Sequence, residues 1–177
     1  AANRTLTLPG DADGEILTSN SSVGKILQVV ETVKTDAVSQ AIGTGADFNP
    51  TFLRQSITTT GSNKVLVEGF VNVSMTGPGN VMMIGLRRNN GDVGVGDASG
   101  SKRRCTSASF HEDGWNLANI HFSFLDSPSA GTHEYHLQFS HSSGGSQTFY
   151  FNRTVNDVDS SSYPRTISLI RCIEVAA

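Results

Sequence analysis

The sequence predicts an all-β domain: an antiparallel β-sandwich of jelly-roll type, with about eight or nine strands, preceded by an extended N-terminal arm. Three observations carry this. From Lys25 onward apolar residues recur with a two-residue period, and no segment shows the 3.6-residue period of an amphipathic helix. Charged residues make up only 16% of the 177 residues, against roughly 25% in an ordinary soluble domain. Ser, Thr and Val stand in their place, and these fit pleated strands where Lys and Glu do not. Turn signals such as Gly-Pro-Gly-Asn, Asp-Ser-Pro and Ser-Ser-Gly-Gly-Ser recur between the apolar runs.

Residues 1–24 differ from the remainder. Pro9-Gly10, Asp13-Gly14 and Gly24 punctuate very short extended pieces with too little apolar material for a core, which reads as an arm or the end of a fibrous shaft. Residues 25–177 form the sandwich. The first strand, in 25–35, carries Ile26, Leu27, Val29, Val30 and Val33; 37–50, rich in Gly and Ala, reads as a loop; 51–60 ends in three Thr, a strand signature. Residues 64–76 are the clearest strand, with Val65, Val67, Val71 and Val73 on one face. Gly69 between them marks a bulge or the close approach of another backbone. The turn at 77–80 predicts a hairpin with 81–88 as the returning strand, and the Gly-dense 89–100 reads as turns. Further strands are predicted in 102–110, in 116–125 with Ile120, Phe122 and Phe124 inward, and in 134–140 with Tyr135, Leu137 and Phe139 inward and His136, Gln138 and Ser140 outward. The last two lie in 147–154 and in 165–175, the latter with Ile167, Leu169, Ile173 and Val175 on one face.

Chemistry is harder to find. The net charge is −3 with no basic face, so the footprint of a duplex-binding protein is missing. Gly100-Ser101-Lys102 is followed by Arg103-Arg104 with no helix, which fails the phosphate-loop pattern. His133 and His136 fall on opposite faces of a strand, and no His-x-His pair occurs. No nucleophile elbow is present. Cys105 and Cys172, 67 positions apart, read as small apolar residues in preference to a mutual disulfide. The expectation is a protein that is not an enzyme and needs no metal or cofactor. Recognition is left to loops, which vary without unfolding a sheet. The first candidate is 111–115: His111, Glu112, Asp113 and the single Trp, Trp115, which is either a core plug or a platform for a sugar ring. Asn89 and Asn90, with 143–147, are second candidates. The basic run Lys102, Arg103 and Arg104, with Asp157, Asp159 and Arg165, supplies opposite charges for a contact between subunits.

Several pieces taken together give a family likeness: Gly24-Lys25-Ile26-Leu27-Gln28-Val29-Val30, Ser62 to Val67, Gly96 to Arg103, Phe124-Leu125-Asp126-Ser127-Pro128, and Tyr150-Phe151-Asn152-Arg153 followed by Asp157, Asp159 and 163–166. In this order and spacing they resemble the module at the C-terminal end of bacteriophage tail fibres of the aquatic-phage type. Leu6-Thr7-Leu8-Pro9-Gly10 looks like the short repeats that precede such tips. The resemblance runs over nearly the whole chain. It implies a β-sandwich knob on the exterior of a virion, assembled as a parallel homotrimer and without enzymatic activity. It marks no receptor-contact residue. The sequence departs from the pattern at 41–50 and 111–115. Two functions follow as expectations: a tail-fibre tip that binds a host-surface glycan or protein, or, in view of the short chain, a trimeric decoration protein on the capsid. Neither involves nucleic acid or insertion into a membrane.

Overall fold

The computed structural model describes residues 25–177, so the expected arm, 1–24, lies outside the described residues. Eleven strands and no helix are found among the described residues: β1 (Ile26–Lys34), β2 (Val38–Ile42), β3 (Arg54–Thr59), β4 (Lys64–Met75), β5 (Asn80–Arg88), β6 (Gly91–Asp92), β7 (Ser107–His111), β8 (Ala118–Asp126), β9 (Gly131–His141), β10 (Gln147–Phe151) and β11 (Ser168–Val175). All pair antiparallel, in two sheets. In the first sheet β4 is central. It pairs with β8 on one edge, and with β11 and then β10 along the other. Beyond β11 lies β1, and beyond β10 lies β2. The second sheet runs β3, β9, β5, and β7 and β6 share the outer edge of β5.

The inner faces meet in one core. Val65, Val67, Val71 and Val73 of β4, with Ile120 and Phe122 of β8, oppose Ile84 and Leu86 of β5 and Tyr135, Leu137 and Phe139 of β9. The inward faces expected for β8 and β9 are those observed, and of the two faces of β4 the valine face is the buried one. Phe139 and Phe151 meet edge to face with centroids 5.0 Å apart, a favoured aromatic geometry. Cys105 and Cys172 are both free.

Three expectations are corrected. The turn at 77–80 does not close a hairpin: β4 and β5 belong to different sheets. Both edges of β4 are occupied, by β8 on one side and by β11 and β10 on the other, so β5 finds its partners across the sandwich. Gly77 (φ 74°) and Gly79 (φ 83°) turn the chain there in the left-handed region that glycine tolerates. The expected loop 37–50 contains β2, a five-residue edge strand held by its ladder to β10, with Ile42 in the core. His136 and Ser140 are buried, not outward and solvated. His136 sits beneath the Arg54–Glu134 ion pair (2.9 Å) with Glu134 3.5 Å away. The shared Leu169, Ile173 and Val175 face of β11, whose direction the spacing left open, points away from the core. Ser168, Ile170, Cys172 and Glu174 are buried, whereas Leu169, Ile173 and Val175 stand on the outer surface.

The candidate recognition loop

The functional candidates sort by which end of the sandwich they occupy. At one end β4 begins beside the close of β11 (Lys64 opposite Val175), and Ala176 bonds back to the Lys25 carbonyl (2.9 Å). At the other end Asn72 of β4 stands opposite Asn119 of β8. These ends are separated by eight strand residues, roughly 26 Å. Trp115 precedes β8 and therefore lies at the far end from Lys25.

Trp115 is a surface residue, 62% exposed. Its ring lies against Tyr163, with centroids 5.0 Å apart and planes inclined by 37°. The loop beneath it is built locally. The Asp113 carboxylate accepts the backbone N–H groups of Trp115 (2.9 Å) and Asn116 (3.0 Å), an Asx turn that aims the indole outward. The Gly114 carbonyl accepts the N–H of Asn156 (3.3 Å), and this joins the 112–117 loop to the 152–167 segment. That second segment is anchored by Asn152. Buried and in the left-handed region (φ 60°), Asn152 donates to the carbonyls of Lys34 (2.9 Å) and Asp36 (3.0 Å) and accepts from the Ser168 hydroxyl (2.6 Å). Asp157 is paired with Arg165 (2.7 Å), with Arg153 3.6 Å away. Asp157, Asp159, Ser160, Tyr163 and Arg165 line a shallow, largely polar hollow of about 350 Å³.

The sequence-predicted residues divide accordingly. Glu112, Asp113 and Trp115 are exposed together on the ledge. His111 is the last residue of β7, fully buried opposite Asn80; it is a prop under the loop, not a surface contact. Burial lowers its pKa, against the opposing pull of Asp113. Asn89 and Asn90 follow the far end of β5 and are not brought to Trp115. Asn89, at φ 55°, exchanges hydrogen bonds with the Glu134 backbone as part of a turn. Asp157, Asp159 and Arg165, read for a subunit contact, adjoin the ledge. Of the basic run, Arg103 pairs with Asp47 and Arg104 donates to the Gly96 carbonyl (2.6 Å), both within the chain. Tyr163 was missed by sequence reasoning. Its only signal is being the one aromatic in the polar 156–164 stretch.

The ledge offers two stacked aromatic faces, carboxylates, a guanidinium and hydroxyls, with no metal-binding cluster among the described residues. Such a set stacks on the apolar face of a pyranose and hydrogen-bonds its hydroxyls.

No protein-family model matches the chain, and no curated protein matches it. Among solved structures it is similar to a chain in the structure of infectious bursal disease virus Gt strain, with TM-score 0.50 and 14% identity, covering 97% of this chain and 43% of that one. What is shared is the fold. A chain in the structure of the Gx strain of the same virus gives TM-score 0.43 and 10% identity, over 97% and 45%. The chain therefore spans less than half the length of the solved chains it matches.

Proposed function

We propose that the chain is a non-enzymatic structural protein on the exterior of a viral particle, a tail-fibre tip whose Trp115–Tyr163 ledge binds a saccharide of the host surface. The observation that carries this is the exposed Trp115 ring, set against the half-buried Tyr163, at the end of the sandwich opposite Lys25. Residues 1–24 join at Lys25, so a shaft on that side leaves the ledge at the outer tip. The likeness of the fold to a chain from a virus structure supports a place in a particle, as does the resemblance to tail-fibre modules.

The lone Trp makes the test direct, because intrinsic Trp fluorescence reports this site alone. The full chain is titrated with a panel of bacterial lipopolysaccharides and capsular polysaccharides. At least one should shift the emission, and Trp115→Ala and Tyr163→Ala should abolish binding to the same polysaccharide on an array while leaving the melting temperature unchanged. A panel that leaves the emission unmoved, with both variants retained on the array like the parent, sinks the saccharide reading.

A further inference from the structure

The outer face of the first sheet is built as if it were buried. Its register sets four strands side by side in rows: Val29–Ile173–Leu66–Leu125, then Glu31–Arg171–Glu68–Ser123, then Val33–Leu169–Phe70–His121. Two mainly apolar rows thus flank one charged row. Of the nine large apolar side chains exposed among the described residues, Ile26, Val29, Val33 and Leu125 stand on this face and Ile167 borders it. Strand β11 is apolar on both sides, with Ile170 and Cys172 inward and Leu169, Ile173 and Val175 outward, the composition of a strand covered on both faces. The four strands span roughly 19 Å by 26 Å, or about 500 Å² of projected face. With its charged row included, that face lies toward the upper end of the roughly 300–600 Å² of the largest patches on soluble monomers, which are often functional, and, once side-chain relief is counted, it approaches the roughly 800 Å² per partner of a stable interface.

We infer that this face is covered by a second copy of the same chain, related to the first by an axis parallel to the strands. The charged row selects both the partner and the axis. Rotation about such an axis leaves every residue at its height along the strand and reverses the strand order. Apolar rows then lie on apolar rows. In the middle row Glu31, Arg171, Glu68, Ser123 meets Ser123, Glu68, Arg171, Glu31, so each Arg171 faces the partner's Glu68 and each Glu31 faces a hydroxyl. An in-plane axis across the strands would instead set Glu31 on Glu31 and Arg171 on Arg171. Within one chain Arg171 is already bracketed by Glu31 (2.8 Å) and Glu68 (3.7 Å), so one carboxylate of each row is left over for the partner's Arg171. A groove of about 630 Å³ beside the Phe70–His121 ring pair, with Gly69 in its lining, lies where the partner's Leu169 and Val33 arrive. The arrangement is parallel: every Lys25 lies at one end and every Trp115 at the other. It does not depend on what the ledge binds.

The test uses the full chain at micromolar concentration under multi-angle light scattering. A mass of twice 18.8 kDa is expected, and a monomer or a trimer overturns the two-fold pairing. Val29→Lys with Leu125→Lys, both at exposed positions, should give a folded monomer by circular dichroism; an unchanged mass would place the contact elsewhere. Arg171→Glu alone and Glu68→Arg alone should each weaken association at least about tenfold by opposing like charges. An equimolar mixture of the two should associate again, because unlike chains now present opposite charges at both positions. If Arg171→Glu does not fold, Glu68→Arg is mixed with the parent and with itself, and the mixture should be the more associated. A mixture no better associated than the single variants rejects the row-on-row pairing.

Discussion

Gly69→Ala is the most informative single substitution in the scaffold, because the structure gives it a definite obstacle. A Cβ at Gly69 would overlap the carbonyl oxygen of Leu169, approach the Leu169 carbonyl carbon to 3.0 Å and reach within 2.9 Å of Phe122 Cζ, whereas ordinary contact is 3.4–4 Å. Neither neighbour yields cheaply. The Leu169 carbonyl belongs to β11, which is laddered to β4 on one side and β1 on the other, and Phe122 is 5% exposed in the core. Relief requires β11 to retreat from β4 around residue 169. That costs one or two ladder hydrogen bonds at about 1 kcal/mol each, added to about 1–3 kcal/mol of overpacking. The sum is roughly 2–5 kcal/mol, or about 5–15 °C in melting temperature for a domain of this size. Gly85→Ala is the internal control. Nothing lies within 4 Å of a Cβ there, so it should stabilise by about 0.4–1 kcal/mol through the unfolded chain. Urea unfolding followed by far-UV circular dichroism, at matched protein concentration, reads both. Equal midpoints for the two variants, or a Gly69→Ala protein as stable as the parent, would refute the close approach of β11 to β4.

Three further outcomes are expected. Phe122→Ala and Phe139→Ala, at 5% and 0% exposure, should each cost about 3–5 kcal/mol; a loss below about 1 kcal/mol would mean that the inward faces are misassigned. Asp113→Ala removes the acceptor for two backbone N–H groups beneath Trp115 and should broaden and red-shift the Trp emission with little change in stability, so an unaltered spectrum argues against the Asx turn. Stability should fall between pH 7 and pH 4. Burial lowers the pKa of His111 and His136 below 6.5, with Arg54 and Arg87 adding to the effect at His136. Burial would raise that of Glu174, yet hydrogen bonds from Gln28, Asn63 and the Thr60 backbone outweigh it and hold the group below 4.5. In each case the unfolded chain takes up the proton first as pH falls, so the stability present above the unfolded value is lost on acidification. A melting temperature that rises from pH 7 to pH 4 contradicts these assignments.

The class of the fold was legible because strand alternation is a local property. Val65, Val67, Val71 and Val73 read as one face from spacing alone, and Tyr135, Leu137 and Phe139 read inward. Sheet membership was not legible. The turn 77–80 has the residues of a hairpin, but whether β5 pairs with β4 depends on whether an edge of β4 is vacant, and β8, β10 and β11 fill both edges from distant parts of the sequence. The same limit governs the ledge. Asp113 and Trp115 declared themselves as a turn with an aromatic, whereas Tyr163 joins them through Asn156 and the Asn152 anchor, contacts with no local signature. His111 was misplaced by one residue in effect: it closes a strand, and the end of a strand alternates inward as readily as outward.

The outward apolar face of β11 bears on why the charged row exists. An apolar sheet face packs against another in many registers, since a shift along the strands trades one aliphatic contact for another. One row of alternating charge removes that freedom. Sliding the partner by two residues sets Arg171 and Glu68 against the partner's Phe70 and Leu169, or against its Leu66 and Ile173, so the charges are desolvated with no opposite charge facing them across the contact, which is costly. Only the register that stacks the middle rows gives Arg171 a carboxylate of the partner as well as its own. The Glu31–Arg171–Glu68 row thus adds little to the stability of the single chain, where partly exposed pairs are worth under about 1 kcal/mol. In the pairing inferred above, its effect is to penalise misaligned contacts, which would keep the ends bearing Lys25 and the ends bearing Trp115 level with one another.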